Sequence, residues 1–174
     1  EGNTISVSNG KMANNSASEG NGGALYSDAG SIIVSGGTIG GSASEANSAK
    51  NGAAVYINDG NGTFSGGSIT YNAATSGGAV GVGNDTVKLN FSGSVKIQNN
   101  TMNGTATNVY LDQDTDAVIN TGGFGNGAYV GIYVPDKTKM VDGKEVEYLF
   151  KNRGDVGAEF GICSGTATSL PAFH

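Results

Sequence analysis

Length, composition and charge exclude several classes of protein. The chain has 174 residues, enough for one domain with a hydrophobic core. Nine basic and fifteen acidic residues give a net charge of −6, and the first 135 residues offer no basic face with aromatic platforms, so we expect no nucleic-acid partner. No apolar run approaches the roughly 18 residues that a membrane-spanning helix needs. We therefore expect no membrane insertion within this sequence.

Two short apolar elements alternate along the chain, separated by polar spacers that hold many of its 31 glycines. The first element occurs at 7–10, 34–39, 64–69 and 91–95. The second occurs at 23–26, 53–56, 78–81 and 107–110. Because the period is roughly 25 to 30 residues, the pattern indicates a stacked array. Disordered glycine-rich tracts lack such apolar periodicity, which favours a folded chain.

In chain order, the pattern divides into units at 2–30, 31–60, 61–87 and 88–115, and a fifth that begins at Val118. Ile5 and Val7 alternate with polar residues, which is typical of a strand. The small residues of the 40–50 spacer can form one helical turn or none. After Pro135 the chain becomes charged and alternating, with a hairpin turn predicted at Asp142–Gly143.

Similar strands lie a whole unit apart, which predicts a parallel coil rather than hairpins. Inward side chains then form columns, one of Val7, Val34, Phe64 and Phe91, and another of Leu25, Val55, Val80 and Val109. The Ser-Gly-Gly sequences turn corners that need positive φ, and spacer asparagines can stack their amides in ladders. We predict an all-β, single-stranded, right-handed parallel β-helix, a pectin-lyase-like solenoid of about five coils.

The predicted domain organisation has two parts. Residues 1–135 form the parallel β-helix repeats, and residues 136–174 form a β-rich, charged C-terminal cap that covers a raw strand edge. Nothing comparable lies at the N-terminus, so we expect other domains of the same polypeptide to precede this sequence. The lone Cys163 cannot form an intramolecular disulfide.

The repeat resembles a known family of bacterial cell-surface proteins. Val-Ser-Gly-Gly-Thr-Ile at 34–39, Asn-Gly-Ala-Ala-Val-Tyr-Ile at 51–57 and Phe-Ser-Gly-Gly-Ser-Ile at 64–69 are similar to their glycine-rich β-helix arrays. There is a looser likeness to the repeats of chlamydial polymorphic outer-membrane proteins. The resemblance covers roughly residues 5–135, with departures at Ala53, Ala54 and Gly81. It implies a secreted, extracellular protein of the cell surface or cell wall with an adhesin-like role in cell adhesion, and it carries no catalytic motif.

The favoured hypothesis for function is a non-catalytic module that binds a host or microbial surface glycan or protein through its flank or loops. Tyr26, Tyr56 and Tyr110 are the candidate ligand-binding residues, because exposed aromatic side chains contact sugars and protein partners. The alternative is that these rings cover the outer wall or stack on one another. A second hypothesis is a purely structural stalk of a larger surface protein.

A third hypothesis is a carbohydrate-active enzyme, a polysaccharide lyase or hydrolase on the same fold. Asp112, Asp114 and Asp116 form the acidic cluster, and on a strand they would share one face, which favours a solvated edge over a catalytic trio. Arg153 and His174 lie in the predicted cap and at the last position, away from the repeats. We therefore expect no enzyme activity.

Cofactor binding is not expected, although calcium is kept as an alternative. Asp112, Asp114 and Asp116 begin like an EF-hand loop, but Ala117 and Gly123 stand where that loop needs glycine and glutamate. A looser calcium site of carboxylates and carbonyl groups between coils stays open as an alternative.

Overall fold

The computed structural model describes residues 3–84, 86–111, 118–133, 138–141, 144–147 and 159–162. The fold is all-β, and its parallel sheets stack as a solenoid of about four turns. The prediction of a parallel β-helix is confirmed. A fifth coil starts as expected, and its described residues, 118–133, contribute two strands, whereas each of the four coils before it contributes at least four. The right-handed sense stays a prediction.

The first two coils each contain four strands. The strands of the first coil are β1 (Asn3–Val7), β2 (Lys11–Met12), β3 (Ser16–Asn21) and β4 (Leu25–Ser27). Those of the second are β5 (Gly30–Val34), β6 (Thr38–Gly40), β7 (Ser48–Asn51) and β8 (Val55–Ile57). A single 3-10 turn, Ala43–Glu45, lies in the second spacer, where the sequence allowed one helical turn.

The later coils follow the same order. The strands of the third coil are β9 (Gly60–Phe64), β10 (Ser68–Thr70), β11 (Ala73–Ala74) and β12 (Val80–Val82). Those of the fourth are β13 (Lys88–Gly93), β14 (Lys96–Gln98), β15 (Thr101–Met102), β16 (Thr105–Ala106) and β17 (Val109–Tyr110). The fifth supplies β18 (Val118–Phe124) and β19 (Tyr129–Tyr133).

Equivalent strands of successive coils pair in parallel and form four faces. Face A contains β1, β5, β9, β13 and β18; face B contains β2, β6, β10 and β14; face C contains β3, β7, β11 and β15; and face D contains β4, β8, β12 and β17. β19 joins faces B and D into one sheet because its first half pairs with β14 and its second half with β17. Each of the first four coils therefore runs through the four faces in turn.

The predicted interior columns are confirmed by the strand register. On face A, Val7 pairs with Val34, Val34 with Phe64, and Phe64 with Phe91. On face D, the column consists of Leu25, Val55, Val80 and Val109. All eight side chains belong to one buried core. The Phe64 and Phe91 rings stack with their centroids 5.4 Å apart. Like residues repeat because each one packs on its counterpart in the next coil.

The corner between faces A and B explains why two glycines follow the strand. Gly37 has φ +81°, a left-handed conformation that other L-residues rarely adopt. Gly36 is needed for a different reason: a Cβ there would lie 2.2 Å from the Ser8 carbonyl oxygen of the previous coil. Both corner glycines therefore let successive coils stack closely.

A ladder of asparagine side chains marks the corner that ends face B. Nδ2 donates to Oδ1 of the next member from Asn15 to Asn47, Asn47 to Asn72, Asn72 to Asn100, and Asn100 to Asn108, at 2.8 to 3.0 Å. Each backbone N–H donates to the same oxygen, at 2.9 to 3.2 Å. Asn47, Asn72, Asn100 and Asn108 are buried. The predicted stacking of spacer amides is confirmed.

The ladder also accounts for the unusual backbone beside it. Asn14, Tyr71 and Asn99 each precede a ladder residue and have φ of 60°, 61° and 57°. Asparagine tolerates this left-handed conformation, whereas tyrosine does so at a cost. The Tyr71 side chain is 43 % exposed, so no core packing of its ring holds it there. The position is dictated by the turn into the ladder.

The fifth coil omits face C altogether. Asn108, which belongs to the fourth coil, occupies the last position of the ladder. β16 turns back antiparallel to β15 and brings the chain to it. Gly131 of β19 lies next to Asn108, and a Cβ at Gly131 would lie 2.3 Å from its Nδ2. A glycine at this point lets β19 pass the end of the ladder without a spacer.

The C-terminal region is described only in part. β20 (Thr138–Val141) and β21 (Lys144–Glu147) pair antiparallel on either side of the predicted Asp142–Gly143 turn, which lies outside the described residues. β22 (Glu159–Ile162) pairs in parallel with β19. A strand of the predicted cap thus continues the sheet that joins faces B and D, while the domain boundary at 135–136 stays a prediction.

Candidate binding surface

Face D carries a column of tyrosines on its outer side. Tyr26 pairs with Tyr56, Tyr56 with Gly81, Gly81 with Tyr110, and Tyr110 with Tyr133. The three predicted residues, Tyr26, Tyr56 and Tyr110, therefore lie in one line. They alternate along their strands with the buried residues of face D, so their side chains point away from the core. We call this set, with Tyr133, the tyrosine column.

The rings stack in two pairs. Tyr26 and Tyr56 have centroids 6.1 Å apart and planes within 4°, and Tyr110 and Tyr133 have centroids 5.7 Å apart and planes within 15°. These distances lie within the range of favourable aromatic contacts. The expectation that the tyrosines stack on one another is met within each pair. Between the pairs, at Gly81, there is no ring.

The phenol groups of Tyr26 and Tyr56 have different surroundings. The Tyr26 hydroxyl donates to the Asp28 carboxylate at 3.0 Å. This hydrogen bond, with partial burial and the nearby negative charge, raises the pKa of Tyr26. Burial alone raises the pKa of the Tyr56 phenol. Both phenols are therefore neutral at physiological pH and act as apolar rings with a polar tip.

A slot of about 180 Å³ opens at the break in the column. Tyr56 and Tyr110 line it from the coils below and above, and Gly81 lies between them. Their backbone positions are two strand spacings apart, about 9.6 Å. Among the described residues, none of those that line the slot is acidic or basic.

A second column is interrupted at the same level. Asn51 donates through Nδ2 to Oδ1 of Asn21 in the coil below, at 2.8 Å. In the third coil Ser76 and Gly77 lie above Asn51, and their backbone N–H groups both donate to the Lys50 carbonyl oxygen. Among the described residues, nothing hydrogen-bonds to the Asn51 Oδ1 or to the Ser76 hydroxyl. Asn51 and Ser76 both line the slot.

Two further tyrosines among the described residues are separate from the column. Tyr71 lies at the strained turn before the ladder and is exposed. Tyr129 lies on the first half of β19, next to Lys96 of face B. Neither lines the slot.

The other candidate residues fall outside the described part of the chain. Asp112, Asp114 and Asp116, proposed from sequence as an acidic or calcium site, are not among the described residues, and the same holds for Arg153, Cys163 and His174. In the described ranges, no three His, Cys, Asp or Glu side chains come together in a way that could hold a metal ion. No helix in those ranges is long and apolar enough to span a membrane.

Comparison with known proteins places this chain in no family. No family model, curated protein or solved structure matches it.

Sequence reasoning missed the slot. Gly81 stood out only as a departure from the repeat, and Asn51 and Ser76 were not singled out at all. The signal was nevertheless present: once the second element is aligned, glycine replaces tyrosine in one coil and tyrosine returns in the next. What the alignment does not give is the neighbouring break above Asn51, because the spacers differ in length from coil to coil.

Proposed function

We propose that this protein is an extracellular, non-catalytic surface module that binds a glycan or a protein of a host or microbial surface through face D. The observation that carries the proposal is the tyrosine column, a line of partly exposed rings on a rigid parallel sheet. Aromatic side chains held in this way provide contact area with little loss of conformational entropy. The resemblance of residues 5–135 to bacterial surface repeats supports the cellular setting.

Rigidity supports the proposal as well. Face D is backed by a fully buried column, and Val55, Val80 and Val109 have no exposed surface. A binding surface fixed by such a core does not have to be ordered when a ligand arrives, so less of the binding energy is lost. The net charge of −6 and the neutral slot favour a neutral ligand over a polyanion.

The test is a glycan and host-protein array probed with the intact chain and with a Tyr26→Ala, Tyr56→Ala, Tyr110→Ala triple variant. We expect a specific set of glycans or proteins that the chain retains and the variant does not. Circular dichroism on both proteins provides the folding control. Binding that survives in the folded variant would place the ligand elsewhere and overturn the proposal.

The stalk is the second candidate, and one observation favours it. Within each pair the tyrosines stack on each other, which stabilises the outer wall without any ligand. If the chain binds nothing on the array, the result would support a stalk that holds other domains of the same polypeptide away from the surface.

A further inference from the structure

We propose that the slot at Gly81 binds one neutral pyranose ring against the side chains of Tyr56 and Tyr110. This inference rests on the proposed function and gives it a ligand class and a position. It starts from the coincidence of two breaks: the tyrosine column lacks a ring at Gly81, and the asparagine pair of Asn21 and Asn51 has no third member at Gly77.

The size of the slot suits a single ring. A volume of about 180 Å³ is slightly larger than the roughly 150 Å³ apolar cavity that holds benzene. Because a Cβ at Gly81 would lie 3.1 Å from Tyr56 Cδ2, the Tyr56 ring already covers Gly81, and the sugar ring packs outside it against the side chains of Tyr56 and Tyr110.

The chemistry of the lining favours a sugar over a flat aromatic ring. The C–H faces of a pyranose are apolar and suit the two tyrosines, whereas its hydroxyl groups lie at the rim and need polar partners. Asn51 Oδ1 can accept from one such hydroxyl, and the Ser76 hydroxyl can donate or accept. A plain aromatic ring would leave both groups in contact with an apolar edge.

The charge of the lining selects among sugars. In the part of the chain that the structure describes, no lysine or arginine lines the slot, so the carboxylate of a uronic or sialic acid would lose water without gaining a charged partner. The expected ligand is therefore a neutral hexose unit of a glycan.

The experiment is saturation-transfer NMR on the intact chain with methyl glucoside, methyl galactoside, methyl mannoside and N-acetylglucosamine. Glucuronic acid serves as the charged comparison and N-acetyltyrosinamide as the aromatic one. At least one neutral pyranoside should give transfer to its ring protons, and the two comparison compounds should give less. No transfer from any neutral pyranoside, or stronger binding of N-acetyltyrosinamide, would overturn the inference.

Three variants locate the site. Gly81→Tyr fills the slot with the missing ring, but its new Cβ would lie 3.1 Å from Tyr56 Cδ2. Tyr110→Leu removes one of the two tyrosines that line the slot and adds no atom at Gly81. Both should weaken pyranoside binding by at least about tenfold. Tyr71→Ala is the matched control, since Tyr71 is an exposed tyrosine that lies outside the column and does not line the slot. It should bind within about twofold of the parent chain.

The pattern of results separates the two proposals. Pyranoside binding that persists in folded Gly81→Tyr and Tyr110→Leu, but is lost in the triple variant Tyr26→Ala, Tyr56→Ala, Tyr110→Ala, overturns the slot and leaves face D as the binding surface. A chain that binds no pyranoside but retains array ligands through the tyrosines also overturns the slot alone. An absence of binding in both the NMR experiment and the array overturns the slot and the proposed function together.

Discussion

The asparagine ladder and the tyrosine column are built by the same rule and differ in one respect. In each, a side chain of one coil lies on its counterpart in the next. The ladder is continuous from Asn15 to Asn108 and buried from Asn47 onward, whereas the column is partly exposed and broken at Gly81. Continuity is what the core requires, because a missing amide would leave buried donors without acceptors. A break is tolerable only on an outer surface, and on face D it leaves the slot at Gly81.

The largest expected effect is on the ladder. Asn72→Ala removes the acceptor of the Asn47 N–H and Nδ2, and the donor to the Ile39 carbonyl oxygen. At about 1–3 kcal/mol for each buried group left unpaired, we expect a loss of about 2–4 kcal/mol in the free energy of unfolding. The melting temperature should fall by about 5–15 °C, measured by circular dichroism.

The control for this prediction is Asn21→Ala, which removes the single hydrogen bond from Asn51 at a half-buried position. Its cost should stay near about 1 kcal/mol. Equal losses for Asn72→Ala and Asn21→Ala would show that the ladder has no special structural role.

Removing a ring of the column should cost less than breaking the ladder. Tyr56→Ala loses one stacked contact with Tyr26 and part of a half-buried side chain, with no buried polar group left behind. We expect a loss of about 1–2 kcal/mol in the free energy of unfolding. Chemical denaturation measures it, and a loss greater than that of Asn72→Ala would reverse the comparison.

A substitution next to the ladder should stabilise the fold. Tyr71 has φ 61°, where asparagine is better tolerated, and the equivalent positions hold Asn14 and Asn99. Tyr71→Asn should therefore raise the free energy of unfolding by about 0.5–1 kcal/mol. Tyr71→Ala is the matched control because it also removes the ring but keeps the backbone cost. Equal stability of the two variants would assign the effect to the ring.

The smallest expected effect is a pH dependence at the surface. Lys11 donates to Glu45 at 2.6 Å, and this bond, followed by one from Ser42, lowers the pKa of Glu45. Because the folded pKa lies below the unfolded one, the stabilisation is present above the unfolded pKa and is lost as pH falls through the folded pKa. Since the pair is exposed, the contribution is small.

Glu45→Gln should reduce the difference in melting temperature between neutral and acid solution, measured by scanning calorimetry. Lys11→Met, which removes the other partner of the same ion pair, is the matched variant and should reduce that difference as well. An identical acid response in the parent chain and in Glu45→Gln would contradict the role of the Lys11–Glu45 pair.

The fold could be predicted from sequence because the repeat of apolar residues along the chain determines which strands pair in register. Val34, Phe64 and Phe91 recur at the same offset from Ser-Gly, and such recurrence requires that like positions stack. The role of asparagine in the spacers was also predictable, although the identity of the ladder members was not. Asn108 joins the ladder from within the fourth coil, through the β15–β16 reversal, which no period reveals.

The candidate site was predictable only in part. Tyr26, Tyr56 and Tyr110 follow from the second element of the repeat, and the structure places them in one line. The slot depends on an absence, the side chain missing at Gly81, and on Asn51, which a spacer of different length brings beside it. A repeat pattern in the sequence predicts which side chains lie on the outer surface, but the presence of a cavity between them depends on how the surrounding side chains fill space.

The central claim is that the continuous asparagine ladder supports the fold and that the interrupted tyrosine column binds a ligand. Two-dimensional ¹H–¹⁵N NMR of the intact chain during titration with a neutral pyranoside tests it most directly. The backbone amides of Gly77, Gly81 and Gly83 should shift with a common saturation curve, while the side-chain amides of Asn72 and Asn100 stay in place. Shifts centred on the ladder or on face A, with the three glycine amides unmoved, would contradict the claim.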